Sequence, residues 1–159
     1  MHEPVLLRET LDYLISDPSG TYVDCTAGGG GHLEALVRKL KPEAKVIALD
    51  KDAEVLQKTR QRFLQDNVAF VHSDFRELKR VLLEQGAPLA DGIMIDLGVS
   101  SLQLDQPERG FSYHSEARLD MRMDRSQVLT AWHIVNEWPE ERLKKIIKEY
   151  GEENFAAGI

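Results

Sequence analysis

The apolar positions of the first hundred residues alternate between helical spacing and short strand-like runs. Leu7, Leu11, Leu14 and Ile15 recur at helical intervals and predict an opening helix. Nearly continuous apolar runs then alternate with helical stripes, and they predict strands over residues 21–25, 45–50, 67–74 and 91–98. This alternation is typical of the α/β class, in which a parallel sheet is covered by helices on both faces.

The order of the strands in this sheet follows from the handedness of the crossovers. Right-handed connections place the second and third strands on one side of the first strand and the fourth on the other. The first strand then lies at the topological switch point, where ligands bind beyond the carboxyl ends of the strands. The fourth strand would remain an apolar edge, which predicts either a fragment or a partner that supplies further strands.

The periodicity weakens from about Leu102 onward. The next segment carries four arginines among acidic residues, and it predicts a long loop of the kind that is usually functional or disordered. Two helices are expected after it. Thr130 is placed to cap the first of them, Pro139 to begin the second and Gly151 to end it.

Composition and charge narrow the class of protein. A length of 159 residues suggests one domain with a hydrophobic core. The net charge of −7 argues against nonspecific coating of nucleic acid. The one cysteine, Cys25, excludes an intrachain disulfide and favours a reducing, cytoplasmic compartment. Glu3, Arg8, Glu9 and Asp12 interrupt the N-terminal apolar pattern, so neither a signal peptide nor a membrane span is expected there.

Four consecutive glycines, residues 28–31, follow the first predicted strand. Gly28 and Gly30 fit the first two positions of a dinucleotide fingerprint, but Leu33 occupies the third. A P-loop would need a lysine after the run, and His32 and Leu33 stand there instead. Both phosphate-binding interpretations are therefore weakened, and a tight turn remains the alternative to a cofactor loop.

Acidic residues near the ends of the predicted strands suggest a cofactor without phosphates. Asp24 precedes the glycine run, and Asp50 ends the second strand, where a carboxylate can accept hydrogen bonds from both hydroxyls of a ribose. Phe75 follows the third strand and is placed to lie against an adenine. These features predict S-adenosylmethionine as the cofactor, and no metal site is predicted. A helix N-cap for Asp50 and ordinary core packing for Phe75 are the alternatives.

Asp96 ends the fourth predicted strand and is the candidate catalytic residue. Methyl transfer is an in-line displacement in which positioning does most of the work. If the acceptor is an exocyclic amine, a carboxylate can accept a hydrogen bond from its N–H and later take the proton. Asp96 fits that role, but it also fits an ion pair with the amino group of the cofactor, or a helix N-cap.

Longer motifs resemble those of the RsmH (MraW) family of bacterial methyltransferases. They are "HEPVLL" at residues 2–7, "YVDCTAGGGGH" at 22–32, "ALDKD" at 48–52, "DGIMIDLGVSSLQLD" at 91–105, "RGFSY" at 109–113, "LDMRMD" at 119–124 and "YGEENFA" at 150–156. The resemblance implies a class I, Rossmann-like core that uses S-adenosylmethionine. It also implies methylation of the N4 of a cytosine in the decoding centre of 16S ribosomal RNA, with the small ribosomal subunit as partner.

The resemblance, taken position by position, implies a set of site residues. The expected cofactor contacts are Gly30, Gly31, His32, Asp50, Phe75, Asp96 and Gln103. The expected contacts to RNA phosphates are Arg109, Arg118, Arg122 and Arg125. Salt bridges within the chain are the alternative for these arginines, with partners among Glu108, Glu116, Asp120 and Asp124.

The resemblance also implies a domain organisation. Residues 1–106 would form the methyltransferase core, and residues 107–159 would begin a helical substrate-recognition insertion. Family members are about twice as long, and Leu102 stands where they usually have proline. We therefore expect cofactor contacts to survive in this chain and a complete RNA site to be missing. A methyltransferase for another amine acceptor, and a module that binds the cofactor without turnover, are the alternatives. A homo-oligomer is compatible with the sequence, which does not define the oligomeric state.

Overall fold

The computed structural model describes residues 4–114 and 116–159. His2 and Glu3, which belong to the first motif and to the N-terminal charge pattern, lie outside the described residues. Four strands form one sheet: β1 (Thr21–Asp24), β2 (Lys45–Asp50), β3 (Val68–His72) and β4 (Gly92–Met94). All their pairings are parallel and the spatial order is β3-β2-β1-β4, which confirms the predicted topology.

Helices cover both faces of this sheet, as predicted. On one face Tyr22, Val46 and Ala48 pack against α1 (Leu7–Leu14), α2 (Gly31–Lys39) and α3 (Ala53–Arg60). On the other face the alternate strand residues pack against Val81 and Leu82 of α4 (Leu78–Glu84), which follows the 3-10 turn Phe75–Glu77. Because successive side chains of a strand point to opposite faces, each strand contributes to both cores.

Cys25 lies just beyond β1 and belongs to the second of these cores. Its side chain is buried, and burial raises the pKa of the thiol to about 11. A thiol in such surroundings is chemically inert, because the thiolate is the reactive form.

The edge strand β4 is shorter than the sequence predicts, since residues 95–98 leave the ladder. The backbone N–H of Asp96 donates to the side chain of Thr26 (2.8 Å) rather than to a neighbouring strand. Ile93 and Ile95 are each about half exposed along this edge. The apolar residues of the run 91–98 therefore lie partly on an open edge of the sheet and not only in a buried strand.

The segment that follows is more ordered than predicted. A short helix, α5 (Ser101–Leu104), replaces the start of the expected loop. Ser100 and Gln103 form a capping box, in which each side chain bonds the backbone N–H of the other residue. Four residues are too few for an apolar period to show, so only the capping pair could have indicated this helix.

The contacts divide the chain into two compact units, one ending at Asp105 and one spanning Gln106–Ile159. The second unit contains the 3-10 turn Pro107–Arg109, α6 (Ala131–Glu137), α7 (Glu140–Tyr150) and the 3-10 turn Ala156–Gly158. Thr130 caps α6 through a capping box with His133, as the sequence predicts for Thr130. Among residues 4–114 and 116–159, no helix is long and apolar enough to cross a membrane.

Candidate functional site

The glycine loop connects β1 to α2 at the carboxyl edge of the sheet, and most of its backbone is fixed by neighbouring elements. The N–H of Ala27 donates to the carbonyl of Leu49 (2.8 Å). The carbonyl of Gly28 accepts from the hydroxyl of Thr59, a buried polar residue of α3. The carbonyl of Gly29 accepts from the guanidinium of Arg62 (2.7 Å). The loop is therefore a preformed surface rather than a flexible turn.

The glycines of this loop serve two purposes. Gly30 has a φ of +79°, and a Cβ on it would lie 2.7 Å from Cγ2 of Thr59. A Cβ on Gly31 would lie 2.5 Å from Cγ of Pro4. A Cβ on Gly29 would meet nothing within 4 Å among the described residues. Gly30 and Gly31 are thus required by packing inside the protein, and the open side of the loop is at Gly29.

Asp50 lies at the end of β2, directly beside this loop. Its Oδ2 accepts from the N–H of Gly28 (2.8 Å) and its Oδ1 from the N–H of Asp52 (2.9 Å). A carboxylate has about four lone-pair positions, so each oxygen keeps one for a further donor. Burial raises the pKa of Asp50, and the two backbone N–H donors oppose that shift.

Asp24 is a deeply buried carboxyl of this edge, with 1% of its surface exposed. It accepts from the N–H of Thr26 (3.0 Å). Burial raises its pKa to about 7, and the nearby charges of Asp50 and Asp96 add to the shift. Three carboxyl groups thus converge beside the glycine loop, and the site favours a ligand that brings positive charge or several hydrogen-bond donors.

Asp96 lies beyond β4, and the bond from its backbone N–H to the hydroxyl oxygen of Thr26 fixes its position. Its side chain is about half exposed, whereas that of His32 is only 9% exposed. Nδ1 of His32 lies 3.6 Å from Oδ2 of Asp96, and Nε2 lies 3.1 Å from the carbonyl oxygen of Val5. The imidazole therefore joins the N-terminal segment to the candidate catalytic carboxylate.

Two other predicted cofactor residues have structural contacts of their own. Gln103 is 3% exposed, and its amide nitrogen donates to Oδ2 of Asp52 (2.8 Å), the residue that caps α3. Phe75 is half-buried and packs against the core that contains Val23 and Cys25. The structure thus brings Gln103 to the start of α3 and Phe75 to the end of β3, and contact of either with a cofactor stays a prediction.

The four predicted RNA-binding arginines lie in the second unit and differ in exposure. Arg109 is 1% exposed and donates to the carbonyls of Arg122 (2.9 Å) and Met123 (3.2 Å), which argues against the predicted phosphate contact. Arg118 is exposed, 5.8 Å from the ring centroid of Trp132, and Arg125 is exposed as well.

Arg122 forms the salt bridge that the sequence offered as the alternative. Its Nε and Nη2 each lie 2.7 Å from one carboxylate oxygen of Asp120. This hydrogen-bonded pair holds the pKa of Asp120 at about 2. Arg122 is therefore a structural residue in this unit.

Sequence reasoning did not predict three of the side-chain contacts that build the site. Thr26 fixes Asp96, Thr59 bonds the glycine loop, and Asp52 anchors both α3 and Gln103. Thr59 lies on the buried face of α3 with Val55 and Leu56. A polar residue on an otherwise apolar face was the sequence signal that could have indicated a buried hydrogen bond. The other two contacts join residues about fifty or more positions apart and depend on the sheet order.

A family model described as the MraW methylase family matches residues 1–159. Over 160 residues the chain is 48% identical to the ribosomal RNA small subunit methyltransferase H of Symbiobacterium thermophilum, covering 99% of this chain and 50% of the relative. It is also 48% identical to the protein of that name from Caldicellulosiruptor saccharolyticus, covering 99% of this chain and 52% of the relative. The chain thus spans about half the length of the curated relatives it matches.

Among solved structures, the chain is similar to PH0851. The TM-score is 0.52 at 22% sequence identity, and the match covers 62% of this chain and 22% of that one. At this identity the likeness concerns the fold alone.

Proposed function

The chain belongs to the MraW methylase family, and from that premise we propose that it binds S-adenosylmethionine at the glycine loop. We propose further that the methyl acceptor is the N4 amine of a cytosine in the decoding centre of 16S ribosomal RNA. The partner is then the small ribosomal subunit, and the compartment is the cytoplasm.

The observation that carries the proposal is the carboxylate of Asp50, which accepts a hydrogen bond from the N–H of Gly28 at the start of the glycine loop. The carboxylate keeps one lone pair on each oxygen, as a ribose diol requires. A backbone without Cβ at Gly29 admits a ligand closely. Among residues 4–114 and 116–159, no acceptor contacts the N–H groups of Gly31 and His32, so these first amides of α2 suit the carboxylate of the cofactor.

The acidic residues at this edge of the sheet suit the positively charged groups of S-adenosylmethionine. Asp24, Asp50 and Asp96 surround the loop with carboxyl groups, which suits a ligand with a sulfonium and an ammonium group. When bound, the cofactor supplies a methyl group whose bond to sulfur breaks, with the electron pair leaving on sulfur, as the acceptor nitrogen forms the new bond. In this proposal Asp96 accepts a hydrogen bond from the acceptor amine and orients its lone pair.

The proposed RNA contacts fall in the second unit. We assign residues 1–106 to the methyltransferase core and residues 107–159 to the beginning of a substrate-recognition insertion. Exposed Arg118 and Arg125 are the candidates for phosphate contact. Arg118 near Trp132 also provides an aromatic and cationic surface of the kind that unstacked bases bind.

Binding of the cofactor without transfer is the second candidate function. It is favoured by the internal contacts of Arg109 and Arg122, two of the predicted RNA-binding residues, with carbonyls and a carboxylate of the same unit. Transfer to another amine acceptor is the third, because the cofactor residues do not specify the acceptor.

One experiment separates these candidates. The protein is incubated with S-adenosylmethionine labelled in the methyl group and with small ribosomal subunits that lack the modification, and the label is mapped. Label on N4 of a decoding-centre cytosine supports the proposal, and label elsewhere supports another acceptor. Calorimetric binding without label supports the second candidate. Subunits that already carry the modification are the control and should take up no label.

A further inference from the structure

The buried imidazole of His32 has a fixed orientation in the first unit. A backbone carbonyl can only accept a hydrogen bond, so Nε2, 3.1 Å from the carbonyl oxygen of Val5, carries the hydrogen. Nδ1 then faces the carboxylate of Asp96 with its lone pair. Pro4 packs against Gly31, next to His32 in the chain, and leaves no room for a Cβ there. The N-terminal segment thus holds the ring in one orientation.

This orientation gives Nδ1 and the carboxylate complementary roles. Nδ1 lies 3.6 Å from Oδ2 of Asp96, which is longer than a hydrogen bond but within the distance of an ion pair once the ring is protonated. A proton added to Nδ1 would place an imidazolium beside a carboxylate, with the ring 9% exposed and the carboxylate about half exposed. The neutral ring therefore presents one basic atom, Nδ1, beside the candidate catalytic carboxylate.

We propose that His32 is a positioning residue for methyl transfer, which acts through Asp96 by storing the proton that Asp96 takes from the acceptor amine. The inference rests on the proposed function. After the new N–C bond forms, the acceptor nitrogen carries one proton in excess. That proton passes to Asp96 and then to Nδ1 of His32, which becomes imidazolium, and the carboxylate is restored. Later loss of the proton to water returns the pair to its starting state.

The first test needs no activity. In the 159-residue chain labelled with ¹⁵N-histidine, long-range ¹H–¹⁵N spectra identify the tautomer of each ring, and His32→Gln assigns the signals. We expect the hydrogen of His32 on Nε2, and Asp96→Asn should move the Nδ1 signal of this ring. A hydrogen on Nδ1, or no response to Asp96→Asn, would overturn the inference whether or not the protein transfers methyl groups.

The second test separates packing from proton storage. The amide nitrogen of glutamine reaches the position of Nε2, so His32→Gln keeps the contact to Val5 and loses the group that faces Asp96. We expect kcat on unmodified small subunits to fall about 100-fold, and KM and Kd for S-adenosylmethionine to change less than about threefold. His72→Gln is the matched control, since exposed His72 also places Nε2 3.1 Å from a backbone carbonyl, that of Lys51.

The outcomes are distinct. Unchanged kcat in His32→Gln would mean that His32 only anchors the N-terminal segment, and the inference would be wrong. Recovery of kcat in His32→Asn, whose amide can face Asp96 but cannot take a proton, would also contradict it. If the unsubstituted protein transfers no methyl group, the proposed function fails, while the tautomer measurement still tests the His32–Asp96 pair.

Discussion

Replacing Asp24 by asparagine should change how the stability of the protein depends on pH. Burial raises the pKa of this carboxyl from 3.8 to about 7 in the folded protein. Between these values the folded state holds a proton that the unfolded state has lost, so stability falls as the pH rises through this interval. The stabilisation is complete below about pH 3.8 and is lost above about pH 7.

Asparagine does not ionise, so its variant does not undergo this loss. A shift of one pKa unit corresponds to about 1.4 kcal/mol, so the stability of Asp24→Asn relative to the unsubstituted protein should increase by roughly 2–3 kcal/mol between pH 5 and pH 8. Its amide oxygen can still accept from the N–H of Thr26, and its amide nitrogen can donate toward the neighbouring carboxylates.

The assay is urea unfolding of both proteins at several pH values, with the free energies compared at each pH. Asp74→Asn is the control at the same edge of the sheet. Arg76 lowers the pKa of Asp74 by hydrogen bonding, so this variant should show no change relative to the parent between pH 5 and pH 8. A constant difference between Asp24→Asn and the parent over this range would refute the assignment of a protonated, buried Asp24.

Three further predictions follow from the site and the second unit. Gly30→Ala should destabilise the fold by about 1–3 kcal/mol in urea unfolding, whereas Gly29→Ala should change stability by less than about 0.5 kcal/mol. Gly29→Ala should weaken cofactor binding in calorimetry. Equal stabilities of the two variants would contradict the loop geometry. Asp50→Ala should raise the Kd for S-adenosylmethionine at least about tenfold, with Asp12→Ala as the control, and unchanged affinity would exclude the ribose contact. Arg122→Gln should return the pKa of Asp120 from about 2 toward its ordinary range, as measured by carboxyl-carbon NMR. The variant should therefore lose less stability than the parent on acidification from about pH 4 to about pH 2, and an unmoved pKa would mean that another group depresses it.

The sequence specified the sheet well because its signals are local. The run 45–50 has four consecutive apolar residues between Lys45 and an acid, and the structure has β2 over Lys45–Asp50. The strand order follows from crossover handedness, which depends on chirality rather than on any particular residue. The end of β4 could not be predicted in this way, because a hydrogen bond from Asp96 to Thr26 ends the ladder after Met94.

The same contrast between local signals and long-range contacts applies to the candidate site. Asp50 and Asp96 follow directly from strand ends, and their positions at one edge of the sheet were predictable. The contacts of His32, by contrast, join a helix to the N-terminal segment and to the end of β4, which lie far apart in the sequence. Gln103 carried the right signal, a capping box with Ser100, within a segment that lacks any apolar period.

Cys25 makes the opening of the central strand measurable without any added label. Because this one thiol is buried and its pKa is raised to about 11, an alkylating reagent can modify it only in molecules in which the end of β1 has separated from the core. The rate of modification under native conditions therefore reports the equilibrium population of that open form. A ligand that binds to the adjoining glycine loop should slow the reaction. The rate of thiol modification therefore reports both the local opening of β1 and the occupancy of the ligand site.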